Sequence, residues 1–143
     1  MKSRRSNYDV TNRVDTTDTA SANGEVNHLL LGLYPNASTH VINRCFRDLA
    51  RLHAGDYPGY RACDTGYHNL QHSLEVTLAM ARLMDGYERS RDRSAELGVR
   101  LFRFGIVTAL FHDIGYLRKE NDTRHKNGAE YTLKHVSRGA KFL

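Results

Sequence analysis

The sequence predicts an all-α protein with one folded domain. Apolar residues recur at helical spacing in several segments, no strand-type alternation stands out, and 40% of the 143 residues are hydrophobic, which suffices for one core. The chain has no run of about 18 apolar residues, and its polar start lacks the apolar stretch of a secretory signal. We therefore expect a cytoplasmic protein without a membrane partner.

The first 26 residues, 1–26, are expected to form a flexible polar tail. They are rich in Ser, Thr, Asn, Asp and Arg, so burial of their few apolar side chains cannot offset the entropy lost on ordering. The folded domain is predicted to span residues 27–143. It opens with a short apolar segment, 28–34, which Pro35 ends.

Two helices are predicted in the first half of this domain. The first covers 38–53, where apolar residues recur every three or four positions and Asn36 or Ser38 can cap the start. Residues 54–66 contain three glycines and one proline, which is typical of a loop. The second helix covers 69–87 and is predicted to pack on most of its circumference because it carries two apolar sectors. These sectors consist of Leu70, Leu74, Leu78 and Ala81, and of Val76, Met80 and Leu83.

The second half of the domain is predicted to contain the central helix. Residues 97–111 are apolar almost all round, which is typical of a helix surrounded by others. Gly115 is expected to end this helix by adopting the left-handed conformation that other residues resist. Residues 116–126 are polar and charged and are predicted to be a loop, and 128–143 are predicted to form a last helix.

Cysteine content and net charge place limits on the partners. Cys45 and Cys63 are too few and too far apart for a disulfide scaffold or a paired-thiolate zinc site, so we expect reduced thiols. The net charge of +5 favours a phosphate-bearing partner. The arginines are nevertheless interleaved with Asp and Glu, which argues against nucleic-acid binding. The sequence does not define an oligomeric state.

Residues that can carry chemistry cluster at two helix ends. His68 and His72 open the second predicted helix four residues apart, hence on one face, and Glu75 continues the line. This row lies across the helix from its leucine stripe, so we expect it to border a cleft where neutral imidazoles can bind divalent cations. His112 and Asp113 follow the most apolar segment of the chain, where an isolated ionised carboxylate would be costly.

A bound metal ion would compensate the buried charge of Asp113. His72, His112 and Asp113 supply two nitrogen ligands and one oxygen ligand and leave positions for water, whose pKa the cation lowers. Such water can attack phosphorus near neutral pH. His68, one turn from a ligand, is then expected to be the general acid that protonates the leaving oxygen.

Each histidine taken alone is more often structural than functional. On that ground His28, His40 and His53 receive no role, and the pair His68 and His72 by itself fits a structural origin as well as a metal role. The coincidence of two polar pairs at the ends of two apolar helices favours a site.

The two clusters resemble the motifs of a known superfamily. Residues 67–72, Tyr-His-Asn-Leu-Gln-His, are similar to the YHNxxH signature of cyclic nucleotide phosphodiesterases, and residues 109–115, Ala-Leu-Phe-His-Asp-Ile-Gly, resemble the namesake motif of the HD-domain metal-dependent phosphohydrolases. The resemblance covers roughly residues 64–143 and implies an HD-type helical bundle with one or two divalent ions of Mg, Mn, Fe or Zn. It implies roles for four residues: His68 as proton donor, His72 and His112 as ligands, and Asp113 as a catalytic ligand that can bridge two ions.

A third stretch, residues 124–130, resembles a segment that follows the HD pair in many HD proteins, where the histidine binds a second metal. His125 is therefore a further candidate ligand. The alternative is a solvated polar loop that leads into a helix. If this loop folds over the site, its cations could instead hold substrate phosphate. These cations are Arg118, Lys119, Arg124 and Lys126.

One departure from the HD pattern bears on activity. The pattern completes its primary site with a further aspartate on a helix well downstream, whereas this sequence stops at Leu143 within the last predicted helix. We therefore expect a bundle that is incomplete at the C-terminus, holds metal more weakly through three ligands, and exposes apolar surface.

Two functions remain as hypotheses. The first is a metal-dependent phosphoric ester hydrolase, a phosphodiesterase that acts on cyclic nucleotides or related small phosphate esters through metal-activated water. The preference for cyclic nucleotides rests on the YHNxxH resemblance alone. The alternative is a catalytically incomplete HD-like module that binds a nucleotide or regulates a partner without turnover.

Overall fold

The structure, a computed structural model, describes residues 7–92 and 94–143. Over these residues the chain is helical and has two isolated β-bridges but no strand, which confirms the all-α prediction. No helix in this part of the chain combines the length and apolar content needed to cross a membrane. The α-helices are α1 (Thr19–Leu33), α2 (His40–Ala54), α3 (Leu70–Ser90), α4 (Gly98–Phe111) and α5 (His135–Phe142), and the 3-10 helices are η1 (Ile114–Tyr116) and η2 (Gly128–Tyr131).

Helices α1 to α4 share one hydrophobic core. α3 packs against α1 and α4, α2 packs against the same two helices, and α5 packs on η1. Burial of each large apolar side chain contributes about 1.5 to 3 kcal/mol relative to exposure in water, so these contacts fix the relative positions of the helices. The core includes Leu30 of α1, Ile42 and Phe46 of α2, Leu74 and Leu78 of α3, and Phe102 and Ile106 of α4.

The N-terminal region differs from the predicted tail. α1 begins at Thr19, and the carboxylate of Asp18 caps it by accepting two backbone N–H groups of the first turn. Three apolar side chains spaced four residues apart are buried on one face, those of Ala22, Val26 and Leu30. The boundary predicted at residue 26 is therefore wrong, because this narrow stripe is enough to hold the helix on the core. Residues 1–6 of the predicted tail lie outside the described residues.

The segment that precedes α1 is attached to α3 by polar contacts. The buried hydroxyl of Thr16 lies 3.0 Å from Oε1 of Glu75. Oδ2 of Asp9 lies 2.5 Å from Nη2 of Arg82, and Oδ1 of Asp9 accepts the backbone N–H of Val14 at 3.0 Å. Burial alone would raise the pKa of Asp9, but these hydrogen bonds outweigh it and hold that pKa well below its usual range. The contacts tie the start of the described chain to the middle of α3.

The predicted helices 38–53 and 69–87 correspond to α2 and α3, but the packing of the apolar faces is less complete than expected. In α3 the sector that contains Leu83 faces solvent, with that side chain 73% exposed. In α4 Phe104 is 69% exposed and Leu101 is 52% exposed. α4 is therefore covered on one side only and is not the central helix. Leu101 and Phe104 therefore leave apolar surface exposed on this face.

The chain after α4 is more broken than predicted. Gly115 lies in η1, and it is not among the glycines with positive φ. A Cβ at Gly115 would clash with the carbonyl oxygen of His135 and lie 2.6 Å from its carbonyl carbon. Glycine is therefore required for the close approach of η1 to α5 and not for a left-handed helix end. The single helix predicted for 128–143 is divided into η2 and α5.

Candidate metal centre

One buried carboxylate lies where four histidine side chains meet. It belongs to Asp113, between α4 and η1, and only 5% of this side chain is exposed. The four histidines are more open, with side-chain exposures from 18% to 32%, so solvent reaches the centre on their side. Three rings approach Oδ2, with His68 Nδ1 at 2.6 Å, His72 Nε2 at 3.4 Å and His112 Nε2 at 3.1 Å, and one approaches Oδ1, with His135 Nε2 at 3.9 Å.

Local backbone structure fixes two of these histidines at the start of α3. The helix begins one residue after Asn69, whose Oδ1 accepts the backbone N–H of His72 at 3.0 Å. His68 therefore lies before the helix, and the common helical face predicted for the two histidines is not formed. The hydroxyl of Thr65 donates to the carbonyl of His68 at 2.6 Å. This contact and the cap hold the backbone so that both rings reach Asp113.

The carboxylate of Asp113 is held in its ionised form. Burial by itself would raise its pKa, because a charged group loses hydration in the protein interior. Hydrogen bonds with His112 and His68, and the positive charge that these rings can carry, outweigh burial and lower the pKa of Asp113 to about 2. A full negative charge is therefore present at the centre at neutral pH.

The ring of His112 is oriented by a backbone carbonyl. Its Nδ1 lies 2.8 Å from the carbonyl oxygen of Ala109, and since a carbonyl only accepts, Nδ1 carries the hydrogen. In the neutral ring Nε2 then has a lone pair, and it faces an oxygen of Asp113. Two acceptors at 3.1 Å require a positive species between them, either a proton or a metal ion. In the protein without metal, the hydrogen bond with Asp113 accordingly raises the pKa of His112.

His72 is suited to act as a neutral ligand. Burial lowers its pKa, and the charges of His112 and His68 act in the same direction, although Asp113 opposes them. The neutral form of imidazole is the form that binds metal ions. Loss of a proton is therefore not a barrier to metal binding at this ring near neutral pH.

The distances to Asp113 separate ligands from a hydrogen-bond partner. Two ligands of one cation, each bound at about 2.0 to 2.2 Å with angles of about 90° to 109°, lie about 2.8 to 3.6 Å apart. His72 and His112 satisfy this spacing with respect to Oδ2 of Asp113. The 2.6 Å approach of His68 is shorter and is a direct hydrogen bond.

A second donor set has to be weighed against this one. The ligand atoms of His68, His72 and Asp113 lie within 4.8 Å of one another. The hydrogen bond to Asp113 nevertheless occupies Nδ1 of His68, whereas Nε2 of His112 has no hydrogen to donate when the ring is neutral. The distances of His72 and His112 from Oδ2 of Asp113 therefore favour these two rings and the carboxylate as the proposed ligand set.

His125 is engaged elsewhere. Its Nδ1 lies 3.1 Å from both carboxylate oxygens of Asp122, and its ring packs on Tyr131 with the centroids 4.3 Å apart. Within residues 7–92 and 94–143, no recorded contact joins His125 to Asp113. Arg118 is also committed, since its guanidinium lies 2.8 Å from Asp64 and donates to the carbonyl of His125 at 2.9 Å. These contacts fold the loop onto itself rather than over the centre.

His135, by contrast, reaches the centre and is not among the predicted site residues. It opens α5, a helix that packs on η1 directly after Asp113. No motif surrounds it in the sequence, and the only available signal is that it is one of eight histidines in a short chain. Its position depends on the long-range approach at Gly115, which local sequence patterns do not reveal.

Three further histidines are given no role from the sequence, His28, His40 and His53. His28 and His40 are exposed on α1 and α2. His53 is largely buried at the end of α2, and burial lowers its pKa to about 4 although the charge of Asp113 acts in the opposite direction. It therefore stays neutral at physiological pH. No contact of His53 with the ligand atoms is recorded among the described residues.

Comparison with known proteins gives no matching family model, no similar curated protein and no similar solved structure. The resemblance to HD-domain phosphohydrolases thus rests on the two sequence motifs, and the chemistry of the centre has to be inferred from its geometry.

Proposed function

We propose that the protein is a metal-dependent phosphoric ester hydrolase. The observation that carries this proposal is the convergence on one buried, ionised carboxylate of two histidine nitrogens at the spacing of shared metal ligands. These nitrogens and the carboxylate come from two parts of the chain, His72 from α3 and His112 with Asp113 from the end of α4. Three ligands leave coordination positions for water and substrate.

The bound ion would supply Lewis acidity and lower the pKa of a coordinated water. Mg, Mn, Fe and Zn all accept nitrogen and oxygen ligands of this kind, with Zn, Mn and Fe better suited to two imidazoles than Mg. Asp113 contributes the negative charge that draws the ion into the centre. The ring of His112, held by Ala109, keeps its lone pair aimed at the position between itself and Asp113.

His68 is proposed to handle the proton. Its Nδ1 bonds to Asp113, so its protonated ring presents Nε2–H away from the carboxylate. The ring stacks on Tyr116, with the centroids 4.2 Å apart and the planes 17° apart, which restricts its rotation. A ring that is fixed beside the metal and 32% exposed can donate to the leaving oxygen of a substrate bound from solvent.

The proposed substrates are phosphodiesters, with cyclic nucleotides first among them because of the YHNxxH resemblance. The partly open ring of histidines supports a small phosphate ester rather than a large polymer. Phosphate is a hard anionic ligand that a divalent ion and a protonated imidazole can bind together.

The first test is metal binding and hydrolysis by the whole chain. Purified protein supplied with Mn²⁺ or Zn²⁺ should bind metal by elemental analysis and should hydrolyse bis(p-nitrophenyl) phosphate and cyclic nucleotides. His72→Ala and His112→Ala should weaken metal binding by more than the roughly 10- to 100-fold that loss of an outer-sphere partner causes. His68→Ala should keep the metal and lose about 100- to 10,000-fold in rate.

His28→Ala provides the matched control, because this histidine is exposed on α1 and lies outside the centre. It should bind metal and turn over substrate as the unaltered chain does. Unchanged metal content in His72→Ala and His112→Ala would refute the site. Metal and nucleotide binding without hydrolysis under any tested metal would favour the binding or regulatory module over the hydrolase.

A further inference from the structure

A small cleft between η1, the chain that follows it and helix α5 is lined by positive charge. Its volume is about 230 Å³. Three cationic side chains line it, those of Lys119, Arg138 and Lys141, and no acidic residue of the described chain belongs to its lining. No residue of the candidate metal centre lines it either. The cleft is therefore a separate concave surface whose formal charges are all positive.

The rest of the cleft is apolar or aromatic. Ile114 and Gly115 of η1 are buried and belong to its lining. Tyr60 and Phe142 also line it and pack edge to face, with the ring centroids 5.7 Å apart and the planes 82° apart. Walls of this kind have a low dielectric constant, so they concentrate the field of the cations inside the cleft. The attraction for an anion is therefore greater here than beside the same cations on a flat surface.

The three cations have no neutralising carboxylate. Lys119 and Lys141 are exposed, and within residues 7–92 and 94–143 no ion pair is recorded for either. Arg138 donates to two carbonyls of the chain from η1 onward, at 2.7 and 2.8 Å, and its guanidinium carbon lies 3.5 Å from the ring centroid of Tyr131. All of these partners are uncharged. An anion in the cleft would relieve the mutual repulsion of the three side chains.

The backbone on both sides of the cleft is held in place. Tyr60 pairs with Lys119 in an isolated antiparallel bridge, and the two flanking residue pairs add backbone hydrogen bonds of 2.9 and 3.0 Å. On the other side, the hydrogen bonds of Arg138 fasten α5 to η1. The cleft therefore exists before a ligand arrives, and binding has to order only the two lysine side chains.

Each cation taken alone has a structural explanation. Lys141 lies in the last turn of α5, where a positive charge interacts favourably with the helix end. Arg138 satisfies two backbone carbonyls, and Lys119 lies on an exposed segment between helices. None of these explanations accounts for cations from two separate segments around one concave surface without acidic residues. A ligand that needs all three does account for it.

We propose that this cleft is a binding site for a phosphate group, carried by a small phosphomonoester or present as inorganic phosphate. A phosphate dianion offers several acceptor oxygens at once, and guanidinium and ammonium groups bind it through charge-assisted hydrogen bonds. The volume of the cleft is smaller than the roughly 300 to 1,000 Å³ of pockets for drug-sized ligands, which suits a group of this size. Tyr60 and Phe142 would contact the organic part of a monoester. The inference does not rest on the proposed function, because neither a metal ion nor a residue of the centre takes part.

The test is calorimetric titration of the whole chain, freed of metal by dialysis against a chelator, with inorganic phosphate and with phenyl phosphate at constant ionic strength. Both should bind at one saturable site. Lys119→Met and Lys141→Met keep the aliphatic stem and remove the charge, so each should weaken binding by about 10- to 100-fold. Tighter binding of phenyl phosphate would identify a monoester as the ligand, and equal affinities would identify the free anion.

Lys134→Met is the matched control, because it removes the same charge from an exposed position directly before α5 that lies outside the cleft. It should bind both anions as the unaltered chain does. Absence of saturable binding in the unaltered protein would overturn the inference. So would equal weakening in Lys134→Met and Lys141→Met, since the effect would then come from the net charge alone. Either result leaves the proposed function untouched, because that function is measured with metal bound.

Discussion

At the scale of single residues, the histidines of the centre differ in the hydrogen-bond partner of their Nδ1 atom. His112 and His135 each donate Nδ1–H to the carbonyl three residues earlier, a local contact that leaves Nε2 free to bind. His68 spends Nδ1 on Asp113 and retains Nε2 for a proton. The proposed roles therefore rest on short-range hydrogen bonds, because ring position alone would not separate a ligand from an acid.

The sequence predicts the histidines that belong to motifs and misses those that depend on tertiary contacts. His68, His72 and His112 stand beside Asp113 in the structure, although His68 precedes its helix. His135 could not be found in this way, because its approach depends on the packing of α5 against η1. The assignment of His125 as a ligand has no supporting contact among the described residues. Its ring instead contacts Asp122 and Tyr131. No pattern in the sequence predicts these local contacts.

The lowered pKa of the largely buried His53 leads to a prediction of how the free energy of unfolding depends on pH. In the unfolded chain it takes up a proton near pH 6.5, whereas burial lowers its pKa in the folded protein to about 4. Because the unfolded state binds the proton first, stability falls as the pH drops from about 6.5 to 4, by up to about 3 kcal/mol from this residue. Urea unfolding at several pH values should show a flatter dependence for His53→Gln. His28→Gln, an exposed counterpart, should keep the slope of the unaltered chain, and an equal slope in both variants would contradict the prediction.

At the scale of elements, capping side chains that the sequence shows set the starts of two helices, whereas the break near the end of the described chain accompanies a contact that it does not show. Asp18 and Asn69 cap α1 and α3 through their side chains. The buried stripe on α1 contains only one apolar residue in each turn. Many of its neighbours are polar or glycine and have low helix propensity, so the composition of this segment predicts a tail. The division of the last predicted helix into η2 and α5 accompanies the approach at Gly115, which brings together backbone segments 20 residues apart in sequence.

Gly115→Ala tests that approach. The added Cβ would meet the backbone of His135, so α5 has to move away from η1, at a cost we expect to be about 2 kcal/mol or more in the free energy of unfolding. Gly24→Ala is the control, because no atom lies within 4 Å of a Cβ there and the residue is exposed in α1. That change should leave stability equal or raise it by up to about 1 kcal/mol. Thermal unfolding of both variants measures the difference, and equal melting temperatures would show that α5 does not depend on this contact.

At the scale of the whole molecule, the fold is closed at one end by the segment before α1 and left open on one face of α4. Asp9 and Thr16 bind residues of α3, so the N-terminal segment adds to the core the sequence predicts for residues 27–143. The exposed face of α4 carries Phe104 and Leu101. Periodicity identifies such a helix as apolar but does not reveal which of its faces the remaining chain covers.

Asp9→Asn should reveal how much the N-terminal segment contributes. The folded pKa of Asp9 lies well below its unfolded value of about 3.9, so its contribution is present above that pH and is lost as the pH falls further. At pH 7 the substitution should lower the free energy of unfolding by about 1 to 3 kcal/mol through its contacts with Arg82 and the backbone. Asp48→Asn, which removes a surface ion pair with Arg44, should change it by less than about 1 kcal/mol. Denaturant unfolding at pH 7 measures the free energy of unfolding of both variants. Equal losses in the two would show that the contacts of Asp9 do not attach the N-terminal segment to α3.

The stacking of Tyr116 on two imidazoles has an optical consequence. The chain contains no tryptophan, so its near-ultraviolet absorption and emission come mainly from tyrosine. Tyr116 is buried, and its ring stacks on those of His68 and His135, so an ion bound beside either imidazole would change the electronic environment of the phenol. The proposed centre thus contains its own chromophore, which would report a bound ion without an added label.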